Sequence, residues 1–211
     1  SQITLKPDEF GDPYKSKLTM QRGSLTVVLD EGSLGGGALA GQLRFQNTDL
    51  IDAGNLLGRM ALALGTVLNQ QHSLGLDLDG APAGNLLTLG PIPDGLPALA
   101  NTGGASIQVA VQTTPASGAA SLSASDYEIQ FTGAAAGTVR RVSDGTITAF
   151  GSVPILVDGL SLQVTGAAAA GDRFMITPYR QVAQSVDVAI GSPRALAVAS
   201  PVVPSAGVAN Q

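Results

Sequence analysis

Cysteine and tryptophan are absent from this 211-residue chain, histidine occurs once, and 13% of residues are charged. The lack of cysteine removes disulfides, thiolate zinc sites and thiol nucleophiles together. Five phenylalanines and three tyrosines, without interleaved bases, are too few for a base-stacking platform. A net charge of −5 argues against a nucleic-acid glove or a polybasic membrane binder. The first residues show no basic stretch followed by an apolar one, so no classical signal peptide is read there. No run of 18 consecutive apolar residues suggests a membrane span. What is present, 44% hydrophobic residues with 27 glycines and 12 prolines, fits a folded chain of one or two domains.

The chain opens extended. Residues 17–20 and 24–29 flank Gln21-Arg22-Gly23, a hairpin turn in which glycine supplies a positive φ. Residues 31–37, with four glycines, read as a flexible break. The clearest helix spans residues 48–74, with Asn47 or Thr48 as its cap, Asp49 and Asp52 at its positive end, and Gly75 as its stop. Leu50, Ala53, Leu57, Met60, Leu64 and Val67 form an apolar stripe at helical spacing, widened by Leu56 and Leu68, while Asp52, Asn55, Arg59, Thr66 and Asn69 are expected to face away. Gly54, Gly58 and Gly65 cost about 1 kcal/mol each against alanine. Burying Leu50, Leu56, Leu57, Met60, Leu64, Val67 and Leu68 returns roughly 1.5–3 kcal/mol each. The helix is therefore expected to need a partner surface, with those seven residues as its core-packing set.

Beyond Gly75 the period changes to two. Ile107, Val109 and Val111 alternate with polar neighbours, as do Tyr127, Ile129 and Phe131, and Leu160, Leu162 and Val164. Further short strands fit 138–142, 146–150 and 173–177, separated by turn residues and by two Ala-rich links at 133–137 and 166–171, read as hairpin tips. This pattern indicates an antiparallel sheet or small sandwich. A short amphipathic piece at 193–199 follows, and residues 200–211 read as a fraying tail.

The residues offer no enzymatic constellation. There is no P-loop lysine after the glycines at 35–37 and no Gly-x-Ser-x-Gly elbow. His72 has no second histidine for a metal site, and its place in a last helical turn suits the dipole. Asp77-x-Asp79-Gly80 lacks the later ligands of a calcium loop, with Leu86 where glutamate is needed, and reads as a turn whose aspartate bonds its own backbone. No catalytic residue, cofactor-binding residue or metal ligand is assigned.

A family likeness lies in longer strings. Gly35-Gly36-Gly37-Ala38-Leu39-Ala40-Gly41-Gln42-Leu43-Arg44-Phe45 runs into Leu56-Leu57-Gly58-Arg59-Met60 and then Val67-Leu68-Asn69-Gln70-Gln71-His72, closing with Gly75-Leu76-Asp77-Leu78-Asp79-Gly80. With Ser125-Asp126-Tyr127-Glu128-Ile129, Val157-Asp158-Gly159-Leu160 and Gly171-Asp172-Arg173-Phe174-Met175-Ile176-Thr177-Pro178, this order resembles the FlgK family of flagellar hook-associated proteins over most of residues 18–200. Leu86-Leu87 and Gln46 depart from the family pattern.

The resemblance implies an α+β, mainly β chain: part of a core domain at 1–76, a β-rich outer domain at 77–178, and a return segment with a flexible tail at 179–211. It implies an internal fragment without the family's terminal helices, which would cover the apolar stripe; without them the chain is expected to expose that surface and self-associate. It further implies a structural, non-enzymatic subunit joining flagellar hook to filament. Its partners would be the hook protein, the second junction protein and copies of itself, with no nucleic acid, membrane insertion or small-molecule substrate. The location implied is the extracellular flagellum, reached by type III export without a cleaved signal peptide. The alternative is a cell-surface adhesin or carbohydrate-binding β module, which leaves the long helix unexplained.

Overall fold

A computed structural model describes residues 2–112 and 118–200, so nearly all of the expected tail lies outside the described residues. Strands β1 (Gln2–Pro7), β2 (Ser16–Arg22) and β3 (Leu25–Val28) form an antiparallel sheet in that order. The expected hairpin joins β2 to β3, with Gly23 at φ 65°. Residues 31–37 are not simply a break. Helix α1 (Glu31–Leu34) is closed by a capping box in which Asp30 and Ser33 bond each other's backbone, before Gly35, Gly36 and Gly37 take positive φ values.

The long helix starts about ten residues earlier than expected. Helix α2 (Ala38–Arg44) continues through a π-helical turn (Phe45–Asp49) into α3 (Leu50–Ser73). Asn47 and Thr48 do not cap it, because Leu50 donates its N–H to the Phe45 carbonyl and the backbone never leaves the helical region. A π turn absorbs one extra residue without breaking the rod.

The β-rich unit comprises β4 (Leu87–Thr88), β5 (Leu96–Pro97), β6 (Ser106–Val111), β7 (Tyr127–Phe131), β8 (Gly137–Arg141), β9 (Ile147–Phe150), β10 (Ile155–Val157), β11 (Leu160–Thr165), β12 (Arg173–Ile176) and β13 (Asp187–Val188). One sheet has the order β5-β12-β7-β8-β9, another β10-β11-β6, and β13 pairs with β4. All the pairings described are antiparallel.

The period-two residues point inward as expected. Ile107, Val109, Leu160 and Leu162 from one sheet join Tyr127, Ile129, Phe131, Phe174 and Ile176 from the other in a single buried cluster, so the unit is a small sandwich. Phe131 sits edge-on to Phe150 and Phe174, with ring centroids 5.5 and 5.7 Å away. The Ala-rich link at 133–137 is a hairpin tip between β7 and β8, but that at 166–171 is not. It carries the chain from β11 to β12, which lie in different sheets. At residues 193–199 there is no amphipathic helix, only a 3₁₀ turn (Pro193–Ala195).

The sandwich is tied across by polar groups. Asp158 and Gly159 form the two-residue turn between β10 and β11, both with positive φ. The Asp158 carboxylate accepts from the Tyr127 hydroxyl at 2.9 Å and from Arg141 at 2.8 and 2.7 Å. Buried Asp172 takes backbone N–H groups from Ala169, Thr102 and Gly103, which together hold its carboxyl below the usual range. Glu128 is pushed up by burial but pulled further down by hydrogen bonds from Arg140 and Arg173, for a net lowering.

Candidate functional site: a helix with two faces

Helix α3 docks on the β-rich unit with a face that the apolar pattern does not mark. Its buried residues are Asn55, Gly58, Leu62, Gly65 and His72. With Asn69 these positions repeat at intervals of 3-4-3-4-3, a second stripe lying on roughly the opposite side of the helix from the apolar one. Among them only Leu62 is a large apolar side chain, and it enters the sandwich core.

The small residues are there for close approach. A Cβ on Gly58 would lie 2.2 Å from the Tyr179 carbonyl oxygen, and one on Gly65 would lie 2.3 Å from Leu89 Cδ2. The polar residues bind backbone. Asn69 accepts the N–H groups of Leu86 and Leu87 at 2.9 and 2.8 Å and donates to the Leu87 carbonyl at 2.8 Å. His72 Nε2 accepts the Ala197 N–H at 2.9 Å, which fixes the tautomer in which Nδ1 donates to the Gly84 carbonyl at 2.7 Å. One ring nitrogen fastens the helix end to the return segment at Ala197 and the other to the loop that follows the helix at Gly84.

Asn55 faces Asp126, whose carboxyl is pushed up by burial and partly restored by Lys15, Arg180 and Asn55 itself. Asn55 and Asn69 thus face away from the apolar stripe, yet toward the chain's own fold and not toward solvent, with their amides satisfied by carboxylate or backbone partners.

The apolar stripe lies on the other side. Leu50, Leu56, Leu57, Met60, Leu64 and Val67 are 51–64% exposed, and Leu68 is half-buried. Within this chain alone they do not enter the core but stay open; the helix turns its small and amide residues to its own fold and its leucines outward. Phe45, in the π turn, and Leu39, in α2, extend the exposed apolar surface toward the N-terminal end of the helix. An exposed apolar strip of this length is the kind of surface that a further packing partner covers.

By length and composition the 36-residue helix Ala38–Ser73 is apolar enough to cross a membrane. Its inner face is nevertheless packed on protein, and it carries Arg44, Asp49, Asp52 and Arg59. Asp77 accepts the N–H groups of Asp79 and Ala81 at 2.9 and 2.8 Å, the self-bonded turn expected there. Asp79 pairs with Arg194 of the return segment. Among the described residues no group of three or more His, Cys, Asp or Glu is placed to hold a metal ion.

The chain is similar to known proteins along nearly its whole length. Residues 1–87 match the family model for the flagellar hook-associated protein FlgK helical domain, and residues 99–178 match that for the flagellar hook-associated protein 1 D2-like domain. Flagellar hook-associated protein 1 of Escherichia coli K12 is 31% identical over 192 residues, which cover 90% of this chain and 34% of that protein. Its counterpart in Salmonella typhimurium is 28% identical over 177 residues, covering 82% and 31%. The solved structure of the flagellar hook junction protein FlgK from Burkholderia pseudomallei superposes with a TM-score of 0.78 at 27% identity, over 95% of this chain and 37% of that one. The chain thus spans about a third of the length of these relatives.

Proposed function

The chain belongs to the flagellar hook-associated protein FlgK family, and we propose that it is a structural, non-catalytic part of the junction that joins hook to filament. The observation that carries this reading is the exposed stripe of α3. Leu50, Leu56, Leu57, Met60, Leu64, Val67 and Leu68 would pack against helices of the axial assembly, the terminal helices of the full-length protein first among them, which bury what the chain alone leaves open. That assembly would include the hook protein, the second junction protein and further copies of the chain.

In this reading residues 1–76 belong to a helical core domain, 77–178 to an outward β-rich domain, and 179–211 to a return toward the core. Two features support that division. The return segment is fastened to the helix end by His72 and by the Leu76–Ala199 bridge. The sandwich core takes a single large side chain, Leu62, from the buried residues of the helix. The location would be the extracellular flagellum, after export without a cleaved signal peptide. An adhesin or carbohydrate-binding module gives the outer leucines no role.

The test is complementation. Full-length hook-associated protein carrying this segment should restore filament attachment in a bacterium lacking its junction protein; cells that remain without attached filaments despite normal export of the protein would refute the reading.

A further inference from the structure

Residues 8–15, which connect β1 to β2, leave their own sheet and dock on the β-rich unit. Asp8 accepts the N–H groups of Phe10 and Asp12 at 3.1 and 2.8 Å, and Asp12 accepts that of Tyr14 at 2.9 Å, which winds the segment into consecutive aspartate turns. Phe10 is buried, with the Arg173 guanidinium 5.4 Å from its ring centroid. Glu9 accepts from Arg173 at 3.0 Å, and its carbonyl accepts the Leu99 N–H at 2.9 Å. Buried Asp12 pairs with Arg180 at 2.8 Å, and the same guanidinium lies 5.2 Å from the Tyr14 ring centroid. Lys15 approaches buried Asp126 at 3.7 Å.

Among the described residues the strands of this sheet, by contrast, pack closely on one another and only sparsely on the helices and on the strands of the β-rich unit. Its second attachment runs through Gly35, Gly36 and Gly37, with φ values of +65°, +128° and +88° and no heavy atom within 4 Å of the Cβ positions they lack.

We propose that residues 8–15 are an ion-pair clasp that sets the position of the β1–β3 sheet on the β-rich unit, and that with the clasp undone the sheet swings about the three glycines while the rest of the molecule stays folded. The physical basis is the asymmetry of the two attachments. The clasp buries an aromatic ring and a carboxylate that is costly to leave without its cation; the glycine link buries nothing and has the widest backbone freedom of any residue type.

The absence of cysteine makes the test direct. Spin labels attached through Thr26→Cys on β3 and Thr148→Cys on β9, both exposed, report the distance from sheet to sandwich. The parent chain should give one narrow distribution. Phe10→Ala with Arg180→Gln should broaden it several-fold and speed amide exchange in residues 8–15 at least tenfold, with β7 and β12 still protected. The milder Glu9→Gln with Lys15→Gln should broaden it partway. A narrow distribution in both variants overturns the proposal, as does a broad one in the parent, or loss of β7 and β12 protection together with the clasp.

Discussion

Gly58→Ala is the sharpest perturbation of the helix-to-sandwich joint. An added methyl would sit 2.2 Å from the Tyr179 carbonyl oxygen and 2.6 Å from Tyr179 Cβ, where ordinary contact needs about 3.5 Å. The obstacle is backbone and cannot rotate aside, so α3 must withdraw by about 1 Å, loosening Leu62 one turn further along. Overpacking of this kind costs about 1–3 kcal/mol. The helix preference of alanine over glycine offsets about 1 kcal/mol of that. A cost near the top of the range leaves a net loss of about 1–2 kcal/mol, or roughly 2–8 °C in Tm for a chain of this size. Gly54→Ala is the matched control. It lies one turn earlier with nothing within 4 Å of its Cβ position, and should gain about 0.5–1 kcal/mol. Thermal and urea melts followed by circular dichroism read both. A Gly58→Ala protein as stable as Gly54→Ala would refute the close-packed inner face.

Other consequences follow from the polar fastenings and the outer stripe. His72→Ala leaves the Gly84 carbonyl and Ala197 amide without their partner, costing about 1–3 kcal/mol, and amide exchange at Ala197 should rise sharply; retained protection would contradict the latch. The lowered pKa of Asp172 means that its stabilisation is complete above about pH 4, the unfolded carboxyl value, and is lost as pH falls through the lower folded value. Asp172→Asn should therefore flatten the acid limb of stability measured by urea midpoints from pH 5 downward; an unchanged limb would show that the carboxylate is not the sensitive group. The isolated chain should bind an apolar dye and self-associate as concentration rises, and a clean monomer without dye binding would count against an open stripe.

The strands of the sandwich were legible because their two faces differ in polarity. Tyr127, Ile129 and Phe131 are buried in the alternation that the sequence shows. The two-residue strands at Leu87, Leu96 and Asp187 are too short to carry a period, and their pairing depends on what lies beside them. The long helix was legible as an element but not in its orientation. Apolar periodicity locates the leucines; it does not say whether the chain itself or a partner covers them. The docking face was present as the repeat Asn55, Gly58, Leu62, Gly65, Asn69, His72, a small-and-amide stripe that a hydrophobicity argument reads as solvent side. Its signal is the coincidence of helix-breaking glycines with one face, which propensity alone treats as a cost. The clasp joins positions more than 160 residues apart, Glu9 with Arg173 and Asp12 with Arg180, and no local pattern points to such pairs.

In the proposed function the apolar stripe of α3 serves the assembly and not the chain's own fold. Leu57→Lys, Met60→Lys and Leu64→Lys made together test it, since all three side chains are exposed. The isolated chain should keep its melting midpoint, each change lying within about 0.5 kcal/mol. Full-length hook-associated protein carrying the three changes should be exported but fail to hold filaments on hooks. Motile cells with attached filaments, or an isolated chain that no longer folds, would contradict it.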